Sequence, residues 1–318
     1  MDDPSQVRRL VARLRFRHLQ LLVQLKDGGS LRGAAAVLSL TQPALSKALS
    51  EVESAFGFRL FERGARGLVP TPRGQIVIRG ANSLLHELAH VGTEAATEPA
   101  TTLLRVGAPP FVAQGLLPEV LAKLLLSSRS GGEMVRIQLK EERVPLLVDL
   151  LIQGQLDALV TSYPTEMPEA AGQALHYEKL FEVSYVVIAP AGHPVARSRR
   201  VDWARLVSEP WIMPPAISLV RRVIEDAFRR EGVVAPWPLV ESINAFTNLR
   251  YVAAGLGLGA VPESTLRSAR AKDEVQRVRV QPPLPPAPVA LISRAGIDNP
   301  RVDLLRDALS RLRPPGSP

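Results

Sequence analysis

The 318-residue chain contains no cysteine. Disulfides, thiolate metal sites and thiol redox sensing are therefore excluded. Two of its five histidines, His86 and His90, stand in an HELAH run with the HExxH spacing and the other three are scattered; the expectation is nevertheless no metal site and no cofactor. Aromatic residues make up only 5%, mostly at core spacing, which argues against a platform for stacking single-stranded bases. No apolar run approaches the roughly 18 residues of a membrane span. The first residues, MDDPSQVRRLVARLRF, hold basic side chains but neither an apolar h-region nor a cleavage site. No secretory signal and no membrane partner are expected, and the cytoplasm is the default location.

What is present is an uneven charge. The net charge is +8, and residues 1–80 hold 13 Lys/Arg against 6 Asp/Glu, while the remainder holds 26 against 25. A basic excess confined to one quarter of the chain is the footprint expected for phosphate contacts. A basic solvated surface is the alternative. The length suggests two or three domains, each able to bury a core.

Residues 16–57 read as three helices. In FRHLQLLVQLKDG, Phe16, Leu19, Leu22, Val23 and Leu25 fall on one side, and Gly28-Gly29 ends the helix. Ser30 is a helix N-cap for LRGAAAVL, whose alanines permit close packing. Thr41 caps the next helix, with Pro43 in the first turn, where its missing N–H costs little. Leu45, Ala48, Leu49, Val52 and Phe56 then form an apolar stripe. Two capped helices across a three-residue turn read as a helix-turn-helix. Gln42, Pro43, Ser46, Lys47 and Ser50 are left outward, at the end of the second helix that enters the major groove. Gln pairs bidentately with adenine, and Lys reaches guanine or phosphate.

Next comes GFRLFERGARGLVPTPRG, in which strand-like runs Arg59–Phe61 and Leu68–Val69 flank a basic turn. That pattern reads as a wing, with Arg63 and Arg66 available to phosphates or the minor groove. Thr71 and Pro72 open a further helix. In it Val77, Ala81, Leu84, Leu88, Val91 and Ala95 repeat at 4-3-4-3-4, a heptad seam suited to pairing two chains.

From about residue 101 the pattern alternates. LLRVGA (103–108), VRIQLKE (135–141) and LDALVT (156–161) read as strands, separated by helices at Gln114–Leu126 and Val144–Gln153. A second series follows: strand VSYVVIAP (183–190), strand WIMP (211–214), helix Leu219–Arg230, strand LVESI (239–243), helix Thr247–Ala254 and strand LGLGAVP (256–262). Strands VQRVRV (275–280) and PVALIS (288–293) and a helix from about Arg301 close the chain. Such alternation predicts parallel sheets. Two series, with a return to the first, predict two α/β lobes joined by a hinge around a ligand cleft. PPLPPAP (282–288) is a stiff connector at one hinge crossing. The expected domains are an extension (1–14), a winged helix-turn-helix (15–74), a linker helix (71–98) and an effector domain (101–318). Its first lobe covers about 101–180 and 287–318, and its second about 181–286.

Nearly the whole chain resembles a LysR-type transcriptional regulator. The resemblance rests on GSLRGAAAVLSLTQPALSKALSEVESAFGFRLFERGARGLVPTPRG (29–74), with its AA pair, TQPALS, E-x-x-x-G-x-x-LFER and closing T-x-x-G. LDALVT, His193-Pro194 and AAGLGLGAVP (253–262) add to it. FRHLQ and the wing resemble members linked to sugar or aromatic-acid metabolism. The resemblance implies a periplasmic-binding-protein-like effector domain, a homodimer or homotetramer, binding to an interrupted inverted repeat in double-stranded DNA, and contact with RNA polymerase. It implies a small effector, commonly an organic acid, in the cleft. Carried onto this sequence, it makes Gln42, Ser46 and Lys47 base-contacting and Arg32, Arg63 and Arg66 phosphate or wing contacts. The cleft would be lined by Pro109, Pro110, Phe111 and Val112, by Glu142 and Arg143, by Ser218 and Arg221, and by Asn244, Phe246 and Thr247. The chain departs from the family in three places. A dozen residues precede the usual start, and Ala48 stands where many members carry Gln. The first cleft loop reads APPFV, without a Ser or Thr for an effector carboxylate, so Arg143 is the expected anion partner.

Enzyme readings have little support. GLGLG is not GxGxxG and reads as a helix end entering a buried strand. Glu141 and Glu142 are adjacent on a strand and point to opposite faces. Ser242, Ser264 and the histidines lack a triad context. A solute-binding protein would share the two-lobed body but not the basic head. An architectural DNA binder acting without a ligand remains the main alternative.

Overall fold

A computed structural model describes residues 4–28, 30–64, 67–96, 101–130, 134–162, 175–268 and 273–311. The chain divides into a unit of residues 1–100 with 152–155 and a unit of residues 101–151 with 156–318.

The first unit begins with α1 (Pro4–Arg13), α2 (Phe16–Gly28), α3 (Leu31–Val37) and α4 (Gln42–Phe56). Ser30 accepts from the Gly33 N–H and Thr41 from the Ala44 N–H, so both N-caps are made as expected. Ser39, at φ +53°, turns the chain between α3 and α4. The buried side of α2 is His18, Leu21, Leu22 and Leu25, with Leu19 beside it. Phe16, expected in the core, is 55% exposed. The i, i+3, i+4, i+7 stripe starts on a histidine, which apolar scoring passes over. Gly57 closes α4 at φ +79°. Glu53 of α4 reaches forward to accept from the Leu60 and Phe61 N–H groups at 2.7 and 3.2 Å. That clamp fixes where the hairpin β1 (Phe61–Gly64) and β2 (Gly67–Pro70) leaves α4, with Arg63 opposite Leu68. The first wing strand thus starts two residues later than the expected Arg59–Phe61, and the second extends the expected Leu68–Val69 by one residue at each end.

The linker helix α5 (Pro72–Ala95) is capped by Thr71, which accepts from the Gly74 N–H and donates to the Arg59 carbonyl. A Cβ on Gly74 would sit 1.9 Å from the Leu60 carbonyl oxygen. Ala in place of Gly is worth about 1 kcal/mol in a helix, but overpacking against backbone costs about 1–3 kcal/mol. Because a carbonyl cannot swing aside as a side-chain end can, the Gly74→Ala head is expected to melt at a lower temperature than the parent. A raised melting temperature would refute that close approach.

The second unit continues with β3 (Thr101–Ala108), α6 (Pro110–Gly115), α7 (Leu117–Ser130), β4 (Met134–Glu141), α8 (Val144–Ile152), β5 (Ala158–Ser162) and β6 (Leu175–Val183). Then come β7 (Tyr185–Pro190), α9 (Pro194–Arg197), β8 (Val201–Asp202), a 3-10 turn at Trp203–Leu206, β9 (Trp211–Met213), α10 (Leu219–Arg230) and β10 (Val240–Glu241). The chain ends with α11 (Ala245–Ala253), β11 (Leu258–Pro262), α12 (Glu263–Ser268), β12 (Val275–Val278), β13 (Val280–Gln281), β14 (Ala287–Arg294) and α13 (Pro300–Ser310). Two five-stranded sheets result, ordered β4-β3-β5-β14-β6 and β10-β9-β11-β7-β12.

The sheets are mixed rather than parallel. In the first, β4, β3 and β5 run parallel and β14 is antiparallel to both β5 and β6. In the second, β10, β9 and β11 run parallel and β7 is antiparallel to β11 and β12. The antiparallel members include the strands that carry the chain between lobes, β6 into β7 across Ser184, and β14 on the return. The expected single helix Gln114–Leu126 is broken at Leu116, because Pro118 has no N–H to bond back to Gln114. Each sheet has its own core. The second packs Trp203, Trp211 and Phe228 edge-to-face, with centroids 5.1 and 5.6 Å from the phenyl ring. Among the described residues, no helix is long and apolar enough to cross a membrane.

Candidate DNA-reading head and effector cleft

In the head, Leu45, Leu49 and Val52 of α4 are buried, and helical geometry turns the opposite side to solvent. Gln42, Pro43, Ser46, Lys47 and Ser50 are all exposed there, with Gln42 at the first helical position. Ala48 is half-buried against the head core, so the residue type at that position acts on packing as well as on any base contact. Arg32 on α3 and Arg63 on β1 are exposed and make no ion pair among the described residues. Arg66 lies outside the described residues. The arrangement offers donors and acceptors on a helix that fits a major groove, with cations at its margins.

The heptad seam divides in two. Val77 and Ala81 pack into the head core. Leu84, Leu88 and Val91 are 56, 48 and 49% exposed, and Ala95 is exposed as well.

Between the two sheets of the second unit lies a cavity of about 160 Å³. Pro109 lines it from just after β3 and Phe111 from the start of α6, Arg143 from the turn after β4, Val144 and Pro145 from the start of α8, and Ser218 from just before α10. The remaining expected residues lie elsewhere. Pro110 is not on the wall, and Val112 is buried in the first-lobe core. Glu142, the first residue after β4, is not on the wall either. Arg221 is buried against its own lobe, its Nε 2.6 Å from Glu225 Oε1, and one step along the helix Arg222 lines the cavity instead. Asn244 spends its Oδ1 on the Phe246 and Thr247 N–H groups as a helix cap. Phe246 and Thr247 are off the wall, which α11 reaches with Ala245 and Asn248. Both errors are of one residue, or 100° of helix.

Among the wall residues missed by sequence reasoning are three buried polar ones: Thr161, Tyr185 and Asn248. All are buried, and Tyr185 Oη and Asn248 Oδ1 have no hydrogen-bond partner among the described residues; nor does Thr161 Oγ1. The Asn248 orientation is settled by its amide donating to the Ser242 carbonyl at 3.1 Å. Burial pushes the Tyr185 hydroxyl up to about 12. The Ser162 hydroxyl beside it pulls the other way without completing a hydrogen bond. Tyr185 is therefore protonated, and a donor, throughout the ordinary pH range. Its only sequence signal was its place as the first residue after the lobe crossing. Unpartnered buried polar atoms are rare, and each needs a cause. Here three share one cavity whose other walls are mainly apolar.

Two family models cover the chain: the bacterial regulatory helix-turn-helix protein of the lysR family over residues 16–75, and the LysR substrate binding domain over residues 97–313. The transcriptional regulator GbpR of Azospirillum brasilense is 31% identical over 250 residues, covering 77% of this chain and 70% of its own length. MetR of Salmonella typhimurium is 30% identical over 260 residues, covering 80% and 77%. Among solved structures, ArgP of Mycobacterium tuberculosis matches with a TM-score of 0.67 at 21% identity over 93% of this chain and 97% of its own. A full-length OxyR variant from Pseudomonas aeruginosa matches at 0.64 and 23% identity over 94% and 98%. At such identities the structures speak for the fold, and the family models and relatives for the family. The chain belongs to the LysR family of DNA-binding transcriptional regulators, with a helix-turn-helix head and an effector-binding domain.

Proposed function

We propose that this regulator responds to a small hydroxycarboxylic acid with an apolar body, bound between the lobes. The observation that carries the reading is the clustering of Thr161, Tyr185 and Asn248, buried and unsatisfied, on the wall that also holds Arg143 and Arg222. Tyr and Thr hydroxyls donate, Asn248 Oδ1 accepts, and guanidinium pairs with carboxylate. Phe111, Ile217 and the wall prolines suit carbon rather than charge. A dry engineered cavity of about 150 Å³ holds benzene, so the volume suits one small ring or a short branched chain. The effector moves the DNA-binding heads only through a difference in affinity between lobe arrangements. The exposed part of the α5 seam supports pairing of two copies, which an inverted repeat requires. The reading extends to a cytoplasmic regulator without catalytic activity that contacts RNA polymerase.

The test is a thermal-shift screen of the full chain against small hydroxycarboxylic acids, their decarboxylated analogues and amines. Acids alone should raise the melting temperature. Tyr185→Phe should weaken the best acid about tenfold, the worth of one hydrogen bond to a charged group, while leaving the free protein no less stable, since an unsatisfied hydroxyl is removed. Arg143→Ala should weaken it further. An Arg143→Ala protein with unchanged affinity would take Arg143 out of the site. Amines stabilising as well as acids would refute the ligand class.

A further inference from the structure

The matched helix-turn-helix begins at residue 16, so α1 stands outside it. Yet much of the head's charge lies at this end. Residues 4–26 hold Arg8, Arg9, Arg13, Arg15, Arg17 and Lys26 and no Asp or Glu. At about 100° per residue, Leu10 falls beside Leu14, Arg8 falls on the other half of the helix, and Arg13 falls at the margin of the leucine side. Leu10 is half-buried and Leu14 packs against the head core. Arg8, Arg13 and Arg15 are exposed, and among the described residues none of them forms an ion pair.

The joint that aims α1 is ordered. The Leu14 N–H donates to the Leu10 carbonyl at 2.8 Å, and the His18 N–H to the Arg15 carbonyl at 2.8 Å. His18 Nδ1 lies 3.4 Å from the Arg15 N–H that it accepts. Burial, then the nearby Arg17, hold His18 below the usual histidine range against the pull of Glu51, which keeps that nitrogen free to accept.

Position supplies the partner. α1 packs directly on α4. The core side of α4, Leu45, Leu49 and Val52, is already taken up in the head core with α2 and α3. So α1 lies on the flank of α4. A helix with its side chains is about 10–12 Å across, and the major groove is about 12 Å wide. α4 alone fills it. A helix packed about 8–10 Å to the side cannot enter the same groove, and the partner within reach of its exposed arginines is the sugar-phosphate strand that borders it. We propose that α1 is a phosphate clamp, in which Arg8, Arg13 and Arg15 hold the DNA backbone beside the groove occupied by α4. These contacts add affinity without sequence preference and widen the footprint of each head beyond the helix-turn-helix and wing. The inference rests on DNA binding by this head.

The probe is a random-sequence duplex of roughly 40 base pairs, titrated with the full chain between about 50 and 200 mM salt. The variants are the triple Arg8→Gln, Arg13→Gln, Arg15→Gln, its Arg→Lys counterpart, and a chain lacking residues 1–13. Each phosphate contact contributes about 0.9 to the slope of log affinity against log salt. Three lost contacts flatten it by about 2.7 per head, so affinity changes about fortyfold less across that salt range. The Gln triple should show this, the truncation, which keeps Arg15, should flatten the slope by about 1.8 per head, and the Lys triple should keep the parent slope. A parent that binds with a salt slope, beside a Gln triple and a truncation with the same slope, overturns the clamp. So does an unchanged slope with a smaller oligomer, which would assign α1 to contact between copies. A parent that binds no duplex would instead remove the DNA-binding reading on which the clamp rests.

Discussion

Replacing Asp157 with Ala is expected to cost the effector unit about 3–5 kcal/mol, the penalty for breaking a buried ion pair from one side. Asp157 is 1% exposed and Arg105 7%. The carboxylate accepts from Arg105 Nη2 at 2.8 Å, from its Nε at 3.1 Å and from its backbone N–H at 2.8 Å. Asn299, at the start of α13, adds a longer bond at 3.4 Å. One side chain thus ties β3, the turn before β5 and the last helix of the first lobe. In the Ala variant the guanidinium loses its carboxylate while staying out of water. Against a typical domain stability of about 5–15 kcal/mol, that is about a fifth of the total or more. Urea unfolding of the parent and Asp157→Ala proteins should show the midpoint falling sharply. The double variant Arg105→Met, Asp157→Leu should recover most of the loss, because two apolar groups of similar volume leave no buried charge. A single variant costing under about 1 kcal/mol would mean that the pair is hydrated and contributes as little as one on the surface.

The head was legible because its signals are local. Ser30, Thr41 and Thr71 each cap the helix that their type and position announce, and the stripe Leu45, Leu49, Val52 needs only helical spacing. Glu53 and Gly74, part of the motif that carried the resemblance, turn out to have mechanical reasons, a clamp on the wing and a close approach to Leu60. What failed was non-local. β6 was missed because its pairing with β14 slips between Val289 and Ala290, so that Lys179 and Phe181 face consecutive residues and Leu180 is the extra one. A bulge breaks the period of two that marks a strand. The antiparallel members of each sheet are dictated by chain crossings, which no window of sequence contains. The cleft was placed on the right loops, but α10 and α11 were rotated by one residue, and Thr161 and Tyr185 were overlooked because a strand's inward side looks the same in a core as in a binding site. Only the lack of hydrogen-bond partners separates the two, and that is visible in three dimensions alone.

Replacing Gln42 with Ala is expected to have its whole effect on sequence preference. Gln42 is exposed at the first position of α4, where side chains reach base edges, and a bidentate Gln–adenine pair is worth about 1–3 kcal/mol. Two heads on one inverted repeat double that to about 2–6 kcal/mol, or from about thirtyfold to about twenty-thousandfold in affinity. The measurement starts from the duplex that the parent enriches from a random library at about 150 mM salt, where non-specific phosphate binding is suppressed. On that duplex Gln42→Ala should bind far more weakly, and on random-sequence DNA almost as well as the parent, with an unchanged salt slope. Arg63→Ala is the contrast. A lost phosphate contact should weaken both duplexes alike and lower the slope by about 0.9 per head. Were Gln42→Ala to lose equally on both, its side chain would be acting on the backbone or on the stability of α4, and base reading would pass to Ser46 and Lys47, exposed one turn further along the helix.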